Sequence, residues 1–115
     1  MPKGELITCG KYEWWSEKDE TNIEKHKDSH NNGISFRDIL PMFDDPFFYE
    51  IYDAAHSDYK QDRYIGLGYV EKIGLSIVQA VYTETGRIHI ISARPATTRE
   101  RKMYYERLRK IHSEM

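Results

Sequence analysis

The side chains best suited to chemistry in this sequence are Lys25, His26, Arg63 and Arg94. Metal-independent cleavage of RNA asks for little. A base takes the 2′-hydroxyl proton, an acid protonates the leaving oxygen, and cations offset the negative charge that builds on phosphorus. Histidine fits the proton transfers because its intrinsic pKa is about 6.5. Arginine fits the anion because its planar fork of donors can grip a phosphate through two bonds. The four residues meet these needs if the fold brings them together. Each also has a plainer role: a histidine at a helix C-terminus interacts favourably with the dipole, and arginines on a sheet commonly pair with acids.

Other chemistries find less support. There is no Gly-rich phosphate loop, no His-Glu-x-x-His and no Gly-x-Ser-x-Gly. His26 and His30 would share a helical face, but Asp28-Ser29 and Asn31-Asn32-Gly33 argue for a loop there, so a small metalloprotein ranks last and no metal or other cofactor is expected. Cys9 is the only cysteine, which excludes an intramolecular disulfide and a Cys-based zinc site. A reducing cytoplasm is the expected address. With 39% hydrophobic and 31% charged residues, the chain is too apolar for a disordered tail and too charged for a membrane protein. The net charge of −2 conceals a sorting: Asp44 to Asp62 sums to −5, and Glu84 to Met115 to +4. Such a chain can turn a basic face to a polyanion.

The elements that must position these residues can be read from periodicity. A length of 115 residues suits one domain, 1–115. Lys11–Trp15 reads as a short strand. Ser16 offers an N-cap for a helix reaching about Lys27, with Glu17, Asp19 and Glu20 at its positive end. Ser35 caps a second helix, Phe36–Phe43, in which Pro41 predicts a kink. Phe47–Asp53, Arg63–Glu71, Leu75–Thr83 and Arg87–Arg94 read as strands, with Leu75–Thr83 apolar on both faces and therefore central. Turns at Lys72–Gly74 and Thr85-Gly86 imply an antiparallel meander. Thr97 and Glu100 form a capping box for a last helix whose apolar stripe is Tyr104, Leu108 and Ile111. The expected class is α+β: an antiparallel sheet with two N-terminal helices and one C-terminal helix.

Along the chain, Tyr12-Glu13-Trp14, Lys18, Asn22, Lys25-His26 and Gly33-Ile34-Ser35-Phe36 follow one another, then Phe43-Asp44-Asp45-Pro46. Further on come Asp62-Arg63-Tyr64-Ile65, Gly68, Thr83, Ile90-Ile91-Ser92-Ala93-Arg94-Pro95-Ala96-Thr97, and Glu100-Arg101 with Tyr104. This arrangement resembles the BrnT toxin family, most specifically in Ile-Ile-Ser-Ala-Arg followed by Glu-Arg-x-x-Tyr. The resemblance spans about Tyr12 to Tyr105 and leaves residues 1–11 as an N-terminal extension. The chain departs from the pattern at Trp15, where the family has Asp, and at Lys27–Asn32, a six-residue insertion after His26.

The resemblance implies a RelE-like fold and the toxin of a type II toxin–antitoxin pair, an endoribonuclease that arrests translation. It implies a ribbon-helix-helix antitoxin of the BrnA type, a heterotetramer as one assembly open to the pair, and operator DNA contacted only through that complex. Lys25, His26, Arg63 and Arg94 are then the expected catalytic residues, and Lys18, Arg99, Arg101 and Tyr104 the expected RNA contacts. The alternative is a module of the same fold that binds RNA or protein without cutting.

Overall fold

The structure is a computed structural model and describes residues 4–72 and 74–114. Its elements run β1 (Leu6–Cys9), β2 (Tyr12–Trp15), α1 (Ser16–Lys25), α2 (Phe36–Ile39), a 3-10 turn (Leu40–Asp44), β3 (Tyr49–Tyr52), β4 (Arg63–Lys72), β5 (Leu75–Thr85), β6 (Arg87–Pro95) and α3 (Thr98–Ser113). Part of the N-terminal extension is thus a sheet strand, paired through a tight turn in which Gly10 takes φ +60°.

Local chemistry explains most boundaries. Ser16 does not cap α1. Its hydroxyl accepts from the Glu5 N–H at 2.9 Å, and Trp15 occupies the cap position without a side-chain bond. The helix ends at Lys25, because His26 is already extended and Lys27 pairs across to Gly33. Ser35 caps α2 by accepting from the Asp38 N–H. Pro41 then has its expected effect: the helix tightens into the 3-10 turn, whose first positions tolerate a residue without an N–H. At α3 both bonds of the Thr97–Glu100 capping box are present. Of the turn expected over Lys72–Gly74, Ile73 lies outside the described residues, and Gly74 takes φ +85°.

The six strands lie in the order β1-β2-β6-β5-β4-β3. The β3–β6 meander is antiparallel throughout, and the sheet as a whole is mixed, because β2 pairs parallel to β6 at Tyr12↔Ile88 and Glu13↔His89. The expectation of a purely antiparallel sheet is corrected on this point. Short turns force their strands antiparallel, whereas the long chain between β2 and β6 leaves their relative direction to packing.

Directly paired residues share a face of the sheet. Tyr12, Trp14, Val70, Val78, Ala80, Tyr82, Ile90 and Ala93 face the main core, which α2 and the 3-10 turn close with Phe36, Ile39 and Met42. The opposite face is covered at one end only. There Tyr104 of α3 packs on Leu67 and Ile77, with Met103 and Leu108 alongside. Tyr104 is 3% exposed and its hydroxyl donates to Asp45 Oδ2, so its ring is part of the packing beneath α3. β5 is buried on both sides along most of its length, as its apolar pattern predicts.

On the main-core face, Tyr82 donates to Glu50. Burial pushes the Glu84 carboxyl up from its ordinary value, and a hydrogen bond to Glu50 pushes it further. A raised carboxyl stabilises the fold while protonated, and that contribution is lost as pH rises through its folded pKa. In Glu84→Gln an amide can donate to Glu50 at every pH. Urea denaturation should therefore show the variant more stable at pH 7 by about 0.5 kcal/mol, with the difference shrinking towards pH 4. A variant no more stable at pH 7 than at pH 4, relative to the parent, would refute the shared-proton pair.

Candidate active site

The part of the second sheet face that α3 leaves uncovered carries the candidate site. Two cross-strand rows define it. In the first, Arg63 of β4 pairs with Thr83 of β5, Thr83 with His89 of β6, and His89 with Glu13 of β2. In the second, Leu67, Gln79 and Arg94 stand side by side. Thr83 and Gln79 are four residues apart, so the rows are separated by about 13 Å along the strands.

The first row opens into a groove of about 330 Å³ lined by Trp15, Lys18, Gln61, Arg63, His89, Ile90 and Ile91. Arg63 is half-buried, and its guanidinium makes no ion pair or side-chain hydrogen bond among the described residues. Its neighbour Asp62 instead accepts from the Tyr52 hydroxyl. The plainer reading of Arg63, as the partner of a nearby acid, therefore does not hold. His89 Nδ1 lies 2.7 Å from Glu13 Oε2, and Trp15 packs edge-on against the imidazole with centroids 6.5 Å apart.

Arg94, in the second row, is engaged. Its guanidinium donates two bonds to the Glu100 carboxylate, at 2.7 and 3.1 Å. Burial alone would push the Glu100 carboxyl up, but Arg94 and the Thr97 backbone N–H outweigh it and hold the group below its usual value. Arg94 also acts on His26. Burial, with the Lys25 and Arg94 charges added, pushes the His26 imidazole below its ordinary pKa.

α1 joins the two rows. It leaves β2 beside the first and ends at Lys25, with His26 beside the second. Lys18 and Lys25, seven residues apart, lie on one side of the helix, about 10 Å from each other. Asn22 bolts the helix down: it is 4% exposed, its Nδ2 donates to the Ile34 carbonyl, and its Oδ1 accepts from the Ala93 N–H. The inserted loop closes on itself next to His26. Its two ends are bridged at Lys27↔Gly33, Ile34 N–H donates to the His26 carbonyl, and buried Asp28 accepts from the backbone of His30 and Asn32.

Of the expected residues, the structure thus brings Lys18 and Arg63 to one groove, and Lys25, His26 and Arg94 to the other end of the same face. Arg99 and Arg101 are exposed in the first turn of α3. Arg63 and Arg94 share a face but not a level. β4 and β6 are both neighbours of β5 and run in the same direction, so the start of β4 meets the start of β6, and the start of β6 carries His89. His89 and Glu13 were missed by the sequence reading. The signal available was the tight turn at Thr85-Gly86, which fixes which β6 residue faces Thr83.

Residues 14–100, most of the chain, match the family described as the ribonuclease toxin, BrnT, of type II toxin–antitoxin systems. The chain belongs to the BrnT family. A search of curated proteins finds no match. The family span takes in Lys18, Lys25, His26, Arg63, His89, Arg94 and Glu100, while Glu13 stands one residue before it. Among the described residues, no helix of this BrnT-family chain is long and apolar enough to cross a membrane.

The depressed His26 pKa makes a pH prediction. A histidine held neutral in the fold costs stability as pH falls through its unfolded value of about 6.5, because the unfolded chain binds the extra proton. Denaturant midpoints should therefore fall between pH 7 and pH 5.5 for the parent, and by less for His26→Gln. Parallel pH dependence in the two proteins would contradict the assignment.

Proposed function

We propose that this chain is the toxin of a type II toxin–antitoxin module and a metal-independent endoribonuclease that acts in the cytoplasm, cutting RNA and arresting translation. Beside the family membership, the observation that carries this reading is the Arg63 guanidinium, held half-buried over a groove with no carboxylate partner among the described residues. A cation kept in that state suits an anion that arrives from outside. Lys18 flanks the same groove, and Lys25 adds a cation about 13 Å away, beside His26 and the Arg94–Glu100 pair, a span that suits neighbouring phosphates of one strand rather than a single phosphate. The β-meander with its flanking helices supports a RelE-like assignment of the fold.

The partner in this reading is a ribbon-helix-helix antitoxin of the BrnA type, assembled as a heterotetramer that represses its own operon. It covers the basic face made by Arg94, Arg99 and Arg101. Co-expression with such an antitoxin should give one complex in size exclusion at micromolar concentration, and separate elution would refute the pairing.

Incubating the purified chain with RNA, with and without EDTA, tests the activity. Cleavage in both, together with growth arrest on induced expression, is the expected result. Cleavage abolished by EDTA would refute metal independence. RNA retention without cleavage or arrest would assign the chain instead to a binding module, a reading favoured by the neutralisation of Arg94 by Glu100.

A further inference from the structure

His89 lies across β5 from Arg63 in the same row, and its imidazole borders the same groove. Three observations set it apart from a surface histidine. Its Nδ1 is 2.7 Å from Glu13 Oε2, with both side chains only about a fifth exposed. Trp15 packs against the ring and fixes its plane. Between Arg63 and His89, the fully buried Thr83 hydroxyl bonds to neither side chain and finds no partner among the described residues. A carboxylate can only accept, so Nδ1 carries the proton, and in the neutral imidazole Nε2 has the lone pair. A histidine with one nitrogen anchored to a carboxylate and the other free is a poised proton acceptor.

We propose that His89, oriented by Glu13, is the general base of this site, and that Arg63 holds the phosphate whose neighbouring 2′-hydroxyl it deprotonates. The inference rests on the ribonuclease reading above. Nε2 takes the proton of the 2′-hydroxyl as the 2′-oxygen bonds to phosphorus. The bond from phosphorus to the 5′-oxygen breaks with its electron pair on that oxygen, which takes a proton from water. The products are a 2′,3′-cyclic phosphate and a 5′-hydroxyl end, and the imidazolium then releases its proton to solvent. His89 and Arg63 are the catalytic pair, and Glu13 is a positioning residue that holds the tautomer. Glu13 stands on β2, in the N-terminal hairpin, one residue before the family span.

The experiment compares the parent with His89→Ala, His89→Gln and Glu13→Gln on a short RNA and on its 2′-O-methyl analogue, which binds but cannot be cut. His89→Ala should lower kcat by about 10²- to 10⁴-fold, with the analogue bound within about twofold of the parent. Added imidazole should restore part of the loss. A substrate with a sulfur leaving group, which needs no acid, should leave the defect in place. Glu13→Gln should lower kcat by roughly 10-fold or more without raising KM, because an amide can donate to Nδ1 and move the imidazole proton to Nε2. His89→Gln keeps the side-chain bulk should the alanine variant fail to fold. A parent that cuts RNA alongside folded His89 variants that cut equally well would overturn the base assignment and leave the ribonuclease reading standing. Rescue by the sulfur leaving group would also overturn it, by making His89 the acid. A parent inert towards RNA would overturn both.

Discussion

Asn22→Ala should lower the stability of the fold by about 2–5 kcal/mol, more than any other single polar substitution on α1. Asn22 bonds at both ends of its amide: Nδ2 to the Ile34 carbonyl at 2.9 Å, and Oδ1 from the Ala93 N–H at 3.0 Å. Both partners are main-chain groups of buried residues, so truncation strands a donor and an acceptor away from water. Each stranded group costs about 1–3 kcal/mol. The two bonds reach into different parts of the chain, one to the segment before α2 and one to the far edge of β6. Their loss therefore frees α1 from the sheet as well as weakening it. Urea denaturation gives the stability difference, and a loss below about 1 kcal/mol would show that α1 is held by its apolar contacts instead. Asn22→Asp is an informative companion. The carboxylate can still accept from Ala93 but cannot donate to Ile34, so it should recover only part of the loss.

The second large effect separates two arginines that look alike in the sequence. Arg63→Ala should slow RNA cleavage roughly 10- to 150-fold, the equivalent of one charge-assisted phosphate bond worth about 1.5–3 kcal/mol in the transition state. Its stability should stay within about 0.5 kcal/mol of the parent, because the guanidinium satisfies no group among the described residues. Arg94→Ala should slow cleavage and also destabilise, by about 1 kcal/mol, because Glu100 loses the guanidinium that holds its carboxyl below the usual value. The depressed Glu100 pKa gives a direction to this cost. The pair contributes above the ordinary carboxylate pKa and ceases to contribute as pH falls through the folded value, so parent and Arg94→Ala should converge in acid. Circular dichroism and denaturant midpoints, read beside cleavage rates, distinguish the two. An Arg63→Ala protein that folds normally and cuts at the parental rate would remove Arg63 from the site. Equal stability losses in the two variants would contradict the difference in their pairing.

Much of this chain is legible without coordinates. The capping box at Thr97 and Glu100, the cap at Ser35, the break at Pro41 and the four-strand meander follow from signals confined to a few neighbouring residues. So does the two-sided burial of β5, because its apolar residues occupy both alternating sets. The motif run through Ile-Ile-Ser-Ala-Arg was enough to identify the family. What escaped were relations across long stretches of chain. Tyr104 looks the same in sequence whether its ring meets RNA or Leu67 and Ile77, and only the docking of α3 on the sheet places it inside.

The site itself turns on one such relation. His89 and Arg94 are five residues apart, and simple alternation would send their side chains to opposite faces. In β6 the pairing shifts between Val81↔Ser92 and Tyr82↔Ile90, so Ile91 is an extra residue and the alternation is reset. That bulge brings His89, Arg94 and Arg63 to one face. No turn, cap or apolar period in the local sequence encodes it, because a bulge is chosen by how two whole strands fit against their neighbours. The side chains able to do chemistry were present in the sequence; the register of β6 between β2 and β5 decided which of them stand together.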